Sequence, residues 1–170
     1  MRRAASLAVA LALACTACGR ESLGEVAAHY RQALRAQQVV GRLAFPRLHK
    51  TVTVRKGFDA ATIDRGPAWY PGSHLPGEGR MVYVAGHRRT HGGPFREIGA
   101  LHRGDTVVFT TRYAVATYAV TRHARISERQ VSILRSGPRE ELRLQASTIP
   151  PGHERLIVFA SLARISRRTG

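Results

Sequence analysis

Met81-Val82-Tyr83-Val84-Ala85-Gly86-His87-Arg88 is the stretch on which the fold turns. Val82 and Val84 alternate with Tyr83, all three good strand formers, and Gly86 ends the run. The pattern predicts a buried strand that stops at a Gly-His pair. A histidine just past a strand end stands on a rigid base with its imidazole at the rim. Taken alone, such a histidine is more often structural than catalytic, so its neighbours in the fold decide its role.

Further strands are expected on both sides of this one. Residues 41–48 alternate but contain Pro46, which argues for a break or an edge position. Residues 50–55 alternate cleanly, and 106–111 and 114–126 are two long runs that bend near Arg112-Tyr113. Residues 141–145 form a strand that ends at Ala146-Ser147-Thr148, and 155–160 a buried last one. Only local helices lie between them. Asp59 caps a single turn to Asp64. Pro94 opens a short helix that buries Phe95, Ile98 and Leu101, and Ser127-Glu128-Arg129-Gln130 has the form of a capping box. At the N-terminal end, Ser22 and Glu25 form another capping box, and a helix is expected to about Gln38, either spacing the domain or packing on its side. Residues 66–79 are too rich in Gly and Pro for regular structure and suit an ordered loop beside a site or barrel mouth. About eight short strands without βαβ crossovers predict a mainly β fold, a closed or nearly closed barrel preceded by one helix.

The chain has 170 residues, one domain's worth, and a formal charge of +16. Of its basic residues only Lys50 and Lys56 are lysines; the rest are arginines. They are scattered along the chain, which disfavours nucleic acid and leaves an anionic polymer or a solvated surface as alternatives. Both cysteines, Cys15 and Cys18, fall within a basic start followed by a small apolar run, residues 1–18. That segment is short for a membrane span and fits a secretory signal. Cys18 after Thr16-Ala17 resembles a lipoprotein lipidation site, with Cys15 as the rival and plain secretion or an uncleaved anchor as alternatives. The expected organisation is a signal or lipoprotein-type segment 1–18, a helical spacer 19–40, a barrel 41–163 and a basic tail 164–170, held at the outer face of the cytoplasmic membrane.

Six short motifs occur in order: Arg65-Gly66-Pro67, Tyr70-Pro71-Gly72-Ser73, Leu75-Pro76-Gly77, Ala85-Gly86-His87-Arg88, Leu101-His102-Arg103-Gly104-Asp105 and Arg155-Leu156-Ile157-Val158. Over residues 41–162 the chain resembles the sortases, and among them the class E group of Gram-positive actinobacteria. The resemblance implies an eight-stranded sortase barrel that cleaves LPxTG- or LAxTG-type sorting motifs of secreted proteins and passes the acyl group to a cell-wall or pilin amine. It implies His87 as the catalytic His and Arg155 as the catalytic Arg, and no cofactor. Tyr70 and Ala146 are candidate substrate contacts, although Tyr70 and Trp69 suit loop packing better. The family pattern Leu-x-Leu-x-Thr-Cys is here Leu142-Arg143-Leu144-Gln145-Ala146-Ser147. Ser147 therefore stands where the nucleophilic Cys is expected, and Thr148 is the alternative one residue on.

That replacement alters the chemistry. A thiol ionises readily near neutrality, whereas a hydroxyl needs a base within hydrogen-bond reach and usually a third group to orient that base. Asp64, Glu78 and Glu97 are the acids considered for orienting His87. The expected function is an altered or impaired sortase-type transpeptidase or hydrolase; the alternative is a non-catalytic module that binds a sorting peptide or an anionic wall polymer. No metal is expected. His87 and His91 are four residues apart, but their segment leaves a strand for a Gly-Gly turn and lacks the Glu of the zinc-protease motif.

Overall fold

A computed structural model describes residues 21–147 and 152–168. Cys15, Cys18 and Thr148 lie outside the described residues, as do residues 169–170 of the expected tail. Eight strands close into a barrel: β1 (Val39–Phe45), β2 (Lys50–Lys56), β3 (Ala68–Trp69), β4 (Val82–Ala85), β5 (Thr106–Thr111), β6 (Ala114–Ser127), β7 (Glu141–Ser147) and β8 (Glu154–Arg167). Their order around the barrel is β1-β2-β3-β4-β7-β8-β6-β5. A helix α1 (Leu23–Ala33) precedes them, and a single turn α2 (Ala60–Asp64) follows β2.

The period-2 pattern fixes which side chains face inward. In β5, Val107 and Phe109 are buried; in β7, Leu142, Leu144 and Ala146 are buried while Arg143, Gln145 and Ser147 face outward. Trp69, Phe95, Phe109 and Tyr118 fill the barrel with these aliphatics, each large side chain contributing about 1.5–3 kcal/mol. Strand β4 is buried on both faces. Val82 and Val84 enter the core, while Tyr83 is covered on the outside by Phe58 and Tyr70, with ring centroids 5.9 and 6.3 Å away. Its continuous apolar run is the sequence trace of that double burial.

Several expectations change. The first helix stops at Ala33, not near Gln38, because residues 34–38 turn to bond Lys56. Lys56 Nζ donates to Leu34 O at 2.7 Å, Gln37 N donates to Lys56 O, and Lys56 N donates to Gln38 O. Helix α1 packs on the barrel through Ala27, Tyr113 and Ala114, the second of the two placements expected for it. Residues 164–167 are not tail: β8 runs to Arg167, pairing along β6 with Arg167 opposite Ala114. Leu162 and Ile165 pack against the core between outward-facing arginines, so the basic character reports one face of a strand. The Ser127 capping box does not form; Gln130 precedes the 131–134 turn without a side-chain cap, and Glu128 bonds elsewhere.

Ala68-Trp69 pair with β2 and β4 as β3 although the stretch as a whole is expected to be irregular, and the 66–79 loop around them is anchored by a buried carboxylate. Glu140 Oε2 accepts from Gly77 N at 2.9 Å and Gly79 N at 3.0 Å, and Oε1 accepts from the Tyr118 hydroxyl at 2.7 Å. Burial raises the Glu140 pKa. Gln at this position keeps both glycine bonds on its carbonyl oxygen and meets Tyr118 only with the bond reversed, its amide donating to the hydroxyl oxygen; Ala leaves three polar groups without a partner, at roughly 1–3 kcal/mol each before relaxation. Chemical denaturation is expected to show Glu140→Ala destabilised by about 3 kcal/mol. Because the folded pKa is raised, ionised Glu140 is disfavoured in the folded state. Wild-type stability is therefore expected to decline as pH rises through the folded pKa, a component that Glu140→Gln removes.

Candidate active site

Strands β4 and β7 run parallel, with Val82 opposite Leu142 and Ala85 opposite Gln145, and Gly86 N donates to Gln145 O at 2.9 Å. His87 and Ser147 each lie two residues past the Ala85–Gln145 pair, so they leave adjacent strand ends on the same side. Strand β8 is antiparallel to β7 and places Arg155 directly opposite Ser147. These three residues, with Ala146 at the floor and Ile63 from α2, line a cavity of about 260 Å³. Tyr70 is not among its lining residues. It packs on Phe58 and Tyr83, and Tyr83 in turn donates its hydroxyl to Gln145 of the cavity wall.

Gly86 is small for a reason. A Cβ there would stand 2.8 Å from the Phe95 ring, which fills the core beneath the strand end. The histidine can follow β4 so closely only because nothing projects from the residue before it.

Of the acids considered, Asp64 reaches His87. Asp64 Oδ1 lies 2.8 Å from His87 Nε2, at the C-terminal end of α2, whose N-cap Asp59 accepts from Thr62 N. Glu78 instead pairs with Arg31 and accepts from Leu75 N, and Glu97 is exposed at the start of the 98–100 turn. With Asp64 accepting Nε2–H, the imidazole holds one tautomer and its lone pair falls on Nδ1.

Arg155 is held from several sides. Glu128 Oε2 accepts from Nη2 at 2.6 Å, while Gly152 O and Glu154 O accept from Nη1 at 3.0 and 2.9 Å. Glu128 also meets His153 Nδ1 at 2.8 Å; that bond and the Arg155 charge hold its carboxyl below the usual range. Arg88 Nη1 donates to Ser147 O at 3.3 Å and fixes the end of β7. Sequence reasoning missed Glu128 because it lies inside the Ser127–Gln130 stretch that has the form of a helix cap. It also passed over Arg88, although the residue sits beside His87 in the quoted motif.

Gly86→Ala is expected to cost about 1–3 kcal/mol by overpacking against Phe95. It should also displace His87, which a shifted His87 imidazole resonance and a lowered melting temperature would together report.

Comparison with known proteins agrees with this architecture. A sortase-domain family model matches residues 43–163. Sortase D of Bacillus subtilis is 29% identical over 97 residues, 57% of this chain and 48% of that protein, so the chain spans about half the length of that curated relative. Sortase E1 of Streptomyces coelicolor, solved with a tripeptide in its active site, is 27% identical with a TM-score of 0.73, covering 80% of this chain and 94% of that one. The SrtF sortase of Corynebacterium diphtheriae shares the fold, at TM-score 0.76 and 20% identity over 89% of this chain and 93% of its own. With its closed eight-stranded barrel and a family match over most of its length, this chain belongs to the sortase family.

Proposed function

We propose that the chain is a sortase-type acyl transferase of the class E kind, acting at the outer face of the cytoplasmic membrane with Ser147 as its nucleophile. Its substrates are secreted proteins with an LPxTG- or LAxTG-type motif, and its acceptors are wall or pilin amines. The observation that carries this reading is the 2.8 Å Asp64–His87 contact beside a cavity that Ser147 and Arg155 also line. An acid on the base is what a serine route requires and a thiolate route does without. The class E assignment draws support from the 27% identity to a sortase E1.

The proposed steps follow from these groups. Ser147 Oγ attacks the scissile carbonyl while its proton passes to His87 Nδ1, and Asp64 stabilises the imidazolium that forms. The carbonyl oxygen becomes an oxyanion facing Arg155, which contributes about 2.7–4 kcal/mol if it acts as a typical oxyanion donor. Among the described residues its bonds to protein fall on Nη1 and Nη2. His87 then returns the proton to the departing amine, leaving a Ser147 ester. An acceptor amine attacks that ester, loses a proton to His87 and leaves as the new amide, restoring the Ser147 hydroxyl. The N-terminal segment 1–18, as a lipidated or secreted anchor, would hold this site at the envelope.

A second reading, a non-catalytic module that grips a sorting peptide, is favoured by the prior engagement of Arg155 with Glu128 and two carbonyls. Incubation of the full chain with LPxTG and LAxTG peptides and an amine acceptor separates the two. Turnover that vanishes in Ser147→Ala, with kcat lowered about 100-fold or more in Asp64→Asn and KM unchanged, is the expected result. Peptide binding with turnover only in Ser147→Cys would leave the binding module standing.

A further inference from the structure

His91 is not used by any step above, yet it is built into the site. Its ring stacks on His87 with centroids 4.6 Å apart and planes inclined by 26°. Its Nδ1 lies 3.6 Å from the same Asp64 oxygen that His87 Nε2 meets at 2.8 Å. Two imidazole nitrogens thus converge on one carboxylate oxygen, and all three ligand atoms lie within 4.8 Å of one another. The backbone is bent to achieve this. His91 has φ +50°, a left-handed conformation uncommon for a residue with a Cβ, and Gly92 and Gly93 continue it at +76° and +54°. Gly93 N donates to Thr90 O, and Lys50 Nζ donates to Gly93 O at 3.0 Å, pinning the turn to β2. The Gly-Gly turn that argued against a metal in the sequence is what folds His91 back over His87.

We propose that Asp64, His87 and His91 form a binding site for a divalent first-row transition ion of the zinc type, and that the ion disables His87 as a base. Imidazole and carboxylate donors suit Zn²⁺, Co²⁺ or Ni²⁺; a single carboxylate in a chain of formal charge +16 does not suit Ca²⁺ or Mg²⁺, which take mostly oxygen ligands. Ligands bound about 2.0–2.1 Å from a tetrahedral ion stand ~3.4 Å apart, between the 2.8 and 3.6 Å found here, so small side-chain rotations admit the ion. A neutral imidazole carries one proton. An ion on His87 Nε2 therefore forces that proton onto Nδ1, and the nitrogen that should accept from Ser147 becomes a donor. Binding stands apart from the catalytic reading; only its effect on turnover rests on that reading.

The test is a Co²⁺ titration of the full chain followed by visible absorption, with Zn²⁺ competition by calorimetry. One ion per chain is expected, without a thiolate charge-transfer band, and weakened by at least about tenfold in both Asp64→Asn and His91→Asn. Asn tolerates the left-handed backbone at position 91, so that variant tests the ligand rather than the turn. Long-range ¹H–¹⁵N imidazole spectra with Zn²⁺ should show His87 protonated at Nδ1. Zn²⁺ should suppress whatever turnover the wild-type chain has, and do so less in His91→Asn. No binding, binding in either variant as tight as in the wild-type chain, a thiolate band placing the ion on Cys15 and Cys18, a His87 spectrum unchanged by Zn²⁺, or stimulation of turnover would overturn the proposal. A chain that binds Zn²⁺ at these residues without turning over peptide would refute the catalytic reading and leave the metal site intact.

Discussion

The parallel pairing of β4 with β7 is the constraint on which the site depends. Parallel neighbours finish on the same side of the sheet, so whatever follows them emerges together. Ala85 opposite Gln145 sets the register, the Gly86–Gln145 hydrogen bond carries it one residue further, and His87 and Ser147 come next. A one-residue slip would turn Ser147 into the core and Ala146 out to the cavity. Parallel strands also need a long crossover. Here the crossover is not a helix but β5 and β6, which pair with β1 and β8 and so close the barrel. Closure and the geometry of the candidate site are consequences of the same connection.

The rest of the molecule keeps that register in place. The outer face of β4 is sealed by Phe58, Tyr70 and Tyr83, and the Tyr83 hydroxyl, its pKa raised by burial, donates to Gln145 on the neighbouring strand. At the far end of β7, Glu140 ties the 66–79 loop to Tyr118 of β6. Its burial is costly for a carboxylate, and the three donors it satisfies are what make that position tenable. The loop that covers this side of the barrel is therefore fixed by hydrogen bonds at one end and aromatic packing at the other.

The strands were legible because their burial is periodic. Residues 106–111 alternate in sequence and in burial alike, and the uniformly apolar 82–85 reads as a strand covered on both sides. Asp59 as a cap and Gly86 as a stop were equally plain, since each acts within a few residues of itself. What failed was long-range. The sequence of 164–167 looks like a solvated tail because only β6, about fifty residues earlier, makes it a strand. Ser127-Glu128-Arg129-Gln130 looks like a helix cap because the actual partners of Glu128, His153 and Arg155, come only after β7 in the chain. His87, Ser147 and Arg155 could be named from local motifs, but Asp64 was one acid among three until α2 was placed beside β4. The convergence of His91 on the same carboxylate depends on a left-handed turn that spacing alone did not reveal.

That carboxylate changes what the loss of sulfur means. A cysteine can enter attack already ionised, so its histidine needs little beyond proximity. A serine gives up its proton as it attacks, and the positive charge then appearing on His87 has to be stabilised as it forms. In the proposed serine route Asp64, 2.8 Å away and half-exposed at the end of a one-turn helix, would do so through Nε2, leaving Nδ1 for the hydroxyl. The same contact gives His87 a second dependence. A base steadied through one nitrogen can be disabled through that nitrogen, because any ligand that displaces Asp64 from Nε2 also decides where the imidazole keeps its proton. In a serine-based site of this geometry, the acid that would make the base effective also makes it open to control.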